Sequence, residues 1–405
     1  MRQLLSITVS SLVLVSLLSA CAPRSTGLQA RKEADSRFQK TTSLVSYDQA
    51  KQAFASGELD KARKEIEIAI ARAGREAKYW TLLGRIELES KRLEKALDAF
   101  GKAIECDPKL AEPYYYRGIV HQRWNENSKA IADYLQAAEL DAERIAYVLA
   151  AAEIMITERK LDDARMLLLP KLAYFEHNAA MHELLGDIAS LSGDSTSAAL
   201  SYERASVIDP EAPLVGEKLI AALFDAGEYQ KCLDAARRSK ARAASQQTNG
   251  KRVVPTQDVL RHEGRSLAML GRTSEARIIF SDTVREYPED VAAWRDLASA
   301  ALELGDLSRA QSAAERLIAL ATEDAAGYTI RGIVSELKGD FDEAVRWHRL
   351  ACDRAPKNAE TLVALALALR QAGKKDECLT VLRTARAIDP QSDLVQRAFV
   401  LAGEK

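Results

Sequence analysis

Apolar residues crowd the first 18 positions, thin out, and then return in a pattern that repeats every 34 residues. From Leu4 to Leu18 only small polar residues interrupt the apolar stretch, and a single basic residue, Arg2, precedes it. At about 15 residues it is short for a spanning helix and suits a secretory leader. The next segment, Ala22 to about Thr42, is polar and charged and contains Pro23 and Gly27. That composition predicts a flexible tether. Beyond it, strand-like alternation is absent, and the abundance of alanine and leucine predicts helices. Stepping by 34 from Trp80 reaches Tyr114, Val148, His182 and Gly216, and stepping back reaches Ser46. One insertion of ten residues shifts the phase, which resumes at Leu260, Trp294, Tyr328 and Leu362. Ten units fit between about 43 and 392.

The second unit, Tyr79 to Pro108, carries Trp80, Leu83, Gly84, Ala96, Phe100, Ala103 and Pro108 at the positions of the tetratricopeptide signature. It resembles that family. The resemblance implies an all-α tetratricopeptide-repeat solenoid, a right-handed superhelix of about ten helical hairpins. Steric demands can be checked unit by unit. The closest approach of the two helices needs a small side chain, and has Ala62, Ala96, Ala130, Ala164, Ala198, Cys232, Ala276, Ala310, Ala344 and Cys378. The small site on the first helix has Ala50, Gly84, Gly118, Ala152, Gly186, Gly264, Ala298, Gly332 and Ala366, with Ile220 as the exception. The turn between helices favours a residue tolerant of positive φ. Seven units place glycine there and one Asn125, while Lys91 and Arg159 depart from the rule. In the fourth unit Pro170 falls within the second helix and is expected to bend or shorten it.

The domain reading follows. Residues 1–20 are expected to form the leader, 21–42 a flexible tether, 43–246 the first six units, 247–256 an insertion loop, 257–392 the last four units, and 393–405 a capping helix. The cap is expected to use Leu394, Ala398 and Leu401. Around the insertion, Arg237, Arg238, Lys240, Arg242, Lys251 and Arg252 make a basic neighbourhood, which fits a tolerated surface loop, a hinge or a partner contact. The leader ends Leu18-Ser19-Ala20-Cys21, which resembles a bacterial lipobox. That resemblance implies acylation of Cys21 and stable anchoring in a bilayer. Ala22, in place of an acidic residue, points to the outer membrane, facing the periplasm.

Charge and chemistry narrow the function. The formal net charge is -2, too balanced for a nucleic-acid footprint. Of the five cysteines, Cys232 and Cys378 sit at small core positions; a Cys352–Cys378 disulfide is conceivable. His182 and His348 occupy core signature positions, and the histidines and cysteines do not fall in a metal-binding or catalytic motif. An enzyme is not expected, and neither a cofactor nor a metal site is called for. In the resembled family the first helix of each hairpin lines a groove. Projected from the phase, that groove begins with Tyr47, Lys51, Lys78, Arg85, Tyr115 and Arg123. It continues with Glu153, Glu183, Asp187 and Glu217, then Arg261, Arg265 and Arg295, and ends at the apolar Val363 and Leu367. The order is basic, acidic, basic. The expected partners are therefore other proteins, together with the bilayer through the acylated N-terminus. A lipoprotein with such repeats resembles the assembly factors of type IV and Flp pili, which pilot secretin subunits or stabilise pilus machinery. An adaptor for peptidoglycan hydrolases or proteases is the alternative, and an envelope enzyme or small-ligand binder using the acidic patch ranks below both. A calcium ion held by that patch ranks lowest.

Overall fold

The computed structural model describes residues 27–245, 247–248 and 251–403. The leader and Cys21 lie outside the described residues. The chain divides into two compact units, 1–171 and 172–405. The first contains α1 (Gly27–Ala55), α2 (Leu59–Arg72), α3 (Ala77–Glu89), α4 (Leu93–Cys106), α5 (Ala111–Arg123), α6 (Asn127–Leu140), α7 (Ile145–Thr157) and α8 (Leu161–Leu168). The second opens with α9 (Ala179–Leu191), α10 (Ser195–Ile208), α11 (Pro213–Asp225) and α12 (Tyr229–Ser245). A minimal antiparallel ladder follows, β1 (Gln247–Thr248) against β2 (Lys251–Arg252), pairing Gln247 with Arg252 and Thr248 with Lys251. Then come α13 (Gln257–Met269), α14 (Thr273–Glu286), α15 (Val291–Glu303), α16 (Leu307–Leu320), α17 (Ala325–Lys338), α18 (Phe341–Arg354), α19 (Ala359–Gln371), α20 (Lys375–Ile388) and α21 (Asp393–Ala402). Within each unit successive helices pair as hairpins, and each hairpin packs on the next. The expected all-α class is what the described residues form.

Pro170 acts as expected. The second helix of the fourth hairpin, α8, stops after 8 residues and passes into a 3₁₀ turn at Leu169–Lys171, where the equivalent α6 and α10 run 14. Proline lacks the amide hydrogen the next turn needs. The division between the two units falls there and not at the insertion. The insertion is instead tied down on both flanks. Arg237 and Lys240 pair with the buried Glu263 at 3.6 and 3.1 Å, and the Tyr287 hydroxyl donates to the Pro255 carbonyl at 2.6 Å.

Two ends differ from expectation. The tether expected up to residue 42 is helical from Gly27, as the first half of α1. Its polar residues are helix formers, and Glu33 and Arg37 sit one turn apart at 4.0 Å. At the other end, Ser392 caps α21 by accepting from the Val395 amide, and the buried face is Val395, Ala398, Phe399 and Ala402. Leu394 and Leu401 point outward. The Phe399 ring, with the Arg386 guanidinium 4.6 Å over it, sets that rotation.

Within each hairpin the small site on the first helix faces a residue 16 positions later, and the two trade size. The five glycines meet rings: a Cβ on Gly84, Gly118, Gly186, Gly264 or Gly332 would come within 2.4–2.6 Å of Phe100, Tyr134, Tyr202, Phe280 or His348. Ala50, Ala152 and Ala366 are followed at the same interval by Ile66, Leu168 and Leu382, all fully buried. Ile220 reverses the order and is followed by Ala236, in the same buried cluster. The exception in the sequence is thus a swap of large and small across one contact. Ala298 with Ala314 is the one pair that is small on both sides. Volume is roughly conserved in the other nine, as a close-packed interior requires.

The turn after each first helix is left-handed in every hairpin. Seven glycines there have φ from 71° to 84°, and Asn125, Lys91 and Arg159 adopt 57°, 60° and 62°. Lys91 and Arg159 therefore hold a conformation that costs a non-glycine residue roughly 1–2 kcal/mol. Glycine loses more entropy on folding, which offsets part of that. Lys91→Gly should raise stability by about 0.5–1 kcal/mol in urea unfolding. A loss of stability would show that the Lys91 side chain earns its place by another contact.

A further device joins consecutive hairpins. At the signature position, Trp80 Nε1 donates to the Gly74 carbonyl at 2.7 Å, and Trp294 Nε1 to that of Pro288 at 2.9 Å. The hydroxyls of Tyr114 and Tyr328 donate to Pro108 and Thr322 at 3.3 and 3.2 Å, and His182 Nε2 lies 2.9 Å from the Glu176 carbonyl. Each bond spans six residues and satisfies a carbonyl in the loop that enters the hairpin.

Candidate partner-binding face

The first helices of the first unit present a strip of rings and cations. On α1, one helical face carries Tyr47, Lys51 and Phe54. The Tyr47 ring lies 4.9 Å from that of Tyr79, with the Lys51 and Lys78 ammonium groups 4.9 and 5.5 Å from its centroid. Arg85 of α3 is sandwiched, its guanidinium 5.2 Å from the Phe54 ring and 5.0 Å from Tyr116 of α5. Its nearest carboxylate, Glu112, is 3.9 Å away. Tyr115 meets the rings of Tyr116, Tyr134 and Tyr147 at 5.0–5.5 Å. Burial, above all, pushes the phenols of Tyr47 and Tyr116 above their ordinary pKa, so these rings stay neutral at physiological pH. Arg123 is exposed at the end of α5, and Glu153 is exposed on α7. A strip of this kind offers flat apolar area with fixed positive charge, suited to aromatic or acidic residues of a polypeptide.

The second unit is different. Its first helices carry charges of both signs that pair from one hairpin to the next. Lys218 of α11 reaches back to α9, 2.7 Å from Glu183 and 2.8 Å from Asp187. The Tyr202 hydroxyl also donates to Asp187 at 2.7 Å. Burial works to lower the Lys218 pKa, yet its bonds to Asp187 and Glu183 hold it above the ordinary value. Burial, and then the Asp187 carboxylate, push the Tyr202 phenol far up. Arg265 of α13 makes a bidentate pair with Asp296 of α15 at 2.7 and 3.0 Å, and Arg261 pairs with Asp258 at 3.0 Å and approaches Asp296 at 3.7 Å. Arg295 pairs with Asp324, the cap of α17, at 2.6 Å. Of the acidic residues projected for this unit, Glu217 is half-buried and makes no ion pair among the described residues. Val363 is buried and Leu367 half-buried.

The projection from spacing took these first-helix faces one sign at a time. Lys218, Asp296 and Asp324 were missing from the projected set, so the acidic and late basic blocks are closer to neutral than their order implied. No group of three or more His, Cys, Asp or Glu among the described residues is arranged to hold a metal ion. Where the calcium alternative needed a cation between Glu183 and Asp187, the Lys218 ammonium already stands. Phe54 and Tyr116 were also missed. Phe54 follows Tyr47 by seven residues and Lys51 by three, the spacing of one helical face. Cys106, Cys232, Cys352 and Cys378 are free thiols, so Cys352 and Cys378 are not bridged. No described helix is long and apolar enough to cross a membrane.

The tetratricopeptide-repeat family model matches residues 47–111, 261–310 and 295–359. BBSome complex member BBS4 from Bos taurus is 26% identical over 146 residues, which is 36% of this chain. The match spans 27% of that protein's length, about a quarter. Among solved structures, a tetratricopeptide repeat protein from Parabacteroides merdae is similar with a TM-score of 0.44 at 13% identity, covering 64% of this chain and 98% of that one. PilF from Pseudomonas aeruginosa is similar with a TM-score of 0.42 at 19% identity, covering 53% and 94%. PilW, a type IV pilus biogenesis factor, gives 0.44 at 16% identity, covering 51% and 95%. The repeats matched in the sequence coincide with the helical hairpins described above. Residues 47–111 and 261–359 thus carry tetratricopeptide repeats, and the described residues form an all-α array of helical hairpins.

Proposed function

We propose that this protein is a lipid-anchored scaffold of a bacterial cell envelope that holds segments of partner proteins on its first-helix face. The observation that carries the reading is the strip of Tyr47, Phe54, Tyr116 and Arg85, with Lys51 and Lys78 beside it. Tetratricopeptide repeats bind other proteins, and these rings and cations give a polypeptide something to bind. The lipobox-like Leu18-Ser19-Ala20-Cys21 supplies the anchor, with the outer membrane facing the periplasm as its place. Within this reading the first role is assembly of a type IV or Flp pilus or a secretion system. An adaptor for wall hydrolases or proteases is the second. An enzyme or small-ligand binder on the acidic patch is disfavoured by Lys218, which bridges Glu183 and Asp187 and offsets one of their two charges.

The test uses the full chain in a bacterial envelope. Labelling with an alkyne palmitate should mark the wild type and fail with Cys21→Ala. A photo-crosslinking residue at Lys51 should capture a discrete envelope protein. The same residue at Glu94, exposed on a second helix, should not, and Arg85→Glu should abolish the capture at 51. An unlabelled wild type would overturn the anchor. Equal capture from both positions would overturn the face.

A further inference from the structure

The sixth hairpin lacks a side chain that five other hairpins use. Gly216 stands at the position of Trp80, Tyr114, His182, Trp294 and Tyr328, and a Cβ placed on it would meet nothing within 4 Å. The carbonyl six residues earlier, that of Pro210, is nevertheless bonded: Arg242 Nη1 donates to it. Arg242 is the counterpart of Arg354 in the ninth hairpin, since each reaches a carbonyl 32 residues before it. Arg354 Nε donates to the Thr322 carbonyl at 3.0 Å, and its guanidinium lies 5.3 Å from the Tyr328 ring. In the sixth hairpin the guanidinium is set and the ring is absent.

The vacated space opens into a cleft of about 760 Å³ between the end of α10, α11 and the long α12, walled on one side by Val254 and Pro255 of the insertion. Val207 and Leu214 line it and are 69% and 68% exposed, so the cleft offers apolar surface to a ligand. Three lining carboxylates, Glu203, Glu211 and Glu217, make no ion pair among the described residues. Val253 to Thr256, at the end of the insertion, thus wall a cleft beside the one hairpin that has no side chain at this position.

We propose that this cleft binds an aromatic side chain of a partner polypeptide, whose ring takes the place left at Gly216 and stacks on Arg242, with an adjacent lysine or arginine of the partner held by the three carboxylates. The chain itself supplies the precedent, because Tyr328 on Arg354 is the filled form of the same arrangement. A tryptophan or tyrosine is the type of anchor that dominates polypeptide recognition, and stacking on a guanidinium selects a ring over an aliphatic side chain. The cleft is larger than one indole, which leaves room for the flanking backbone and basic side chain. The site is separate from the first-helix strip and does not depend on the envelope reading.

Purified full-length protein in detergent is titrated into acetyl-Lys-(5-fluoro-Trp)-Lys-amide, with binding read from broadening of the fluorine resonance. Acetyl-Lys-Leu-Lys-amide should compete at least about tenfold more weakly. Arg242→Ala should weaken binding about five- to tenfold. Gly216→Trp should abolish it while keeping the circular dichroism spectrum, because indoles already occupy this position at Trp80 and Trp294. Gly216→Leu, copying Leu260 and Leu362, serves if the larger residue perturbs folding. Arg85→Ala should leave binding unchanged; loss there would move the probe to the first-helix strip and overturn the assignment. Equal competition by the leucine peptide, unaltered binding in both Gly216 variants, or no broadening at millimolar protein would each overturn it as well.

Discussion

Replacing Gly84 with alanine will destabilise the second hairpin by about 1–3 kcal/mol, and shortening Phe100 to leucine in the same chain will recover most of that loss. An alanine at an interior helical site normally stabilises by up to about 1 kcal/mol relative to glycine. Here the added Cβ would lie 2.4 Å from Cε1 of the fully buried Phe100, so one of the two helices must give way. The double variant reproduces the combination that the chain already uses at Ala152 with Leu168 and Ala366 with Leu382. Phe100→Leu alone should cost about 1–2 kcal/mol, because it leaves space beside Gly84. Urea unfolding followed by circular dichroism reads the totals, and hydrogen exchange reads their location. In a repeat array each hairpin touches only its neighbours, so protection should fall first in α3 and α4. A Gly84→Ala variant at least as stable as the parent would remove the size-exchange argument.

Asp133→Ala is expected to cost about 3 kcal/mol. Arg117 Nε and Nη2 donate to the two Asp133 oxygens at 2.8 and 2.7 Å, and His121 Nε2 lies 3.8 Å from the same carboxylate. On its other side His121 Nδ1 lies 2.6 Å from Glu126, so the ring is held between two acids. The Asp133 side chain is 9% exposed and that of Arg117 28%, so removing the acid strands a cation that water reaches only in part. Arg117→Leu in the Asp133→Ala background should restore at least half of the stability, since no unpaired charge then remains. A loss below about 1 kcal/mol for the single variant would mean that solvent screens this pair as it does a surface one.

The hairpins were legible because each is held to the same steric demands, and those demands recur at a fixed interval. The alanine row from Ala62 to Ala344 and the left-handed turns could be read without knowing what lay opposite. Ile220 could not, because its explanation is Ala236, on the other helix of the hairpin. The charges of the second unit failed for a related reason. Glu183 and Asp187 are bridged by Lys218, more than 30 residues away, and a projection of one helix face at a time does not bring them together. The helical start of α1 was missed because polarity was taken for looseness. A run such as Ala30 to Lys40 is polar on all sides and still favours a helix once its lower end is docked. The cap helix was misrotated by one position, since Leu394 and Val395 are equally apolar and only the docked Phe399 distinguishes them.

The exchange of size across each hairpin bears on how arrays of this kind can be shuffled. A genetic crossover placed in the loop between hairpins carries both members of a pair together, so Gly84 travels with Phe100 and Ile220 with Ala236. A crossover in the left-handed turn separates them. Joining the first helix of the sixth hairpin to the second helix of the seventh would set Ile220 against Phe280, and the reciprocal product would leave Gly264 facing Ala236. One chimera is overfilled and the other hollow, although every helix in both is native to the chain. The inheritable unit of this protein is therefore the hairpin, and its seams lie in the loops where Trp80, Trp294 and their equivalents fasten one hairpin to the loop before it.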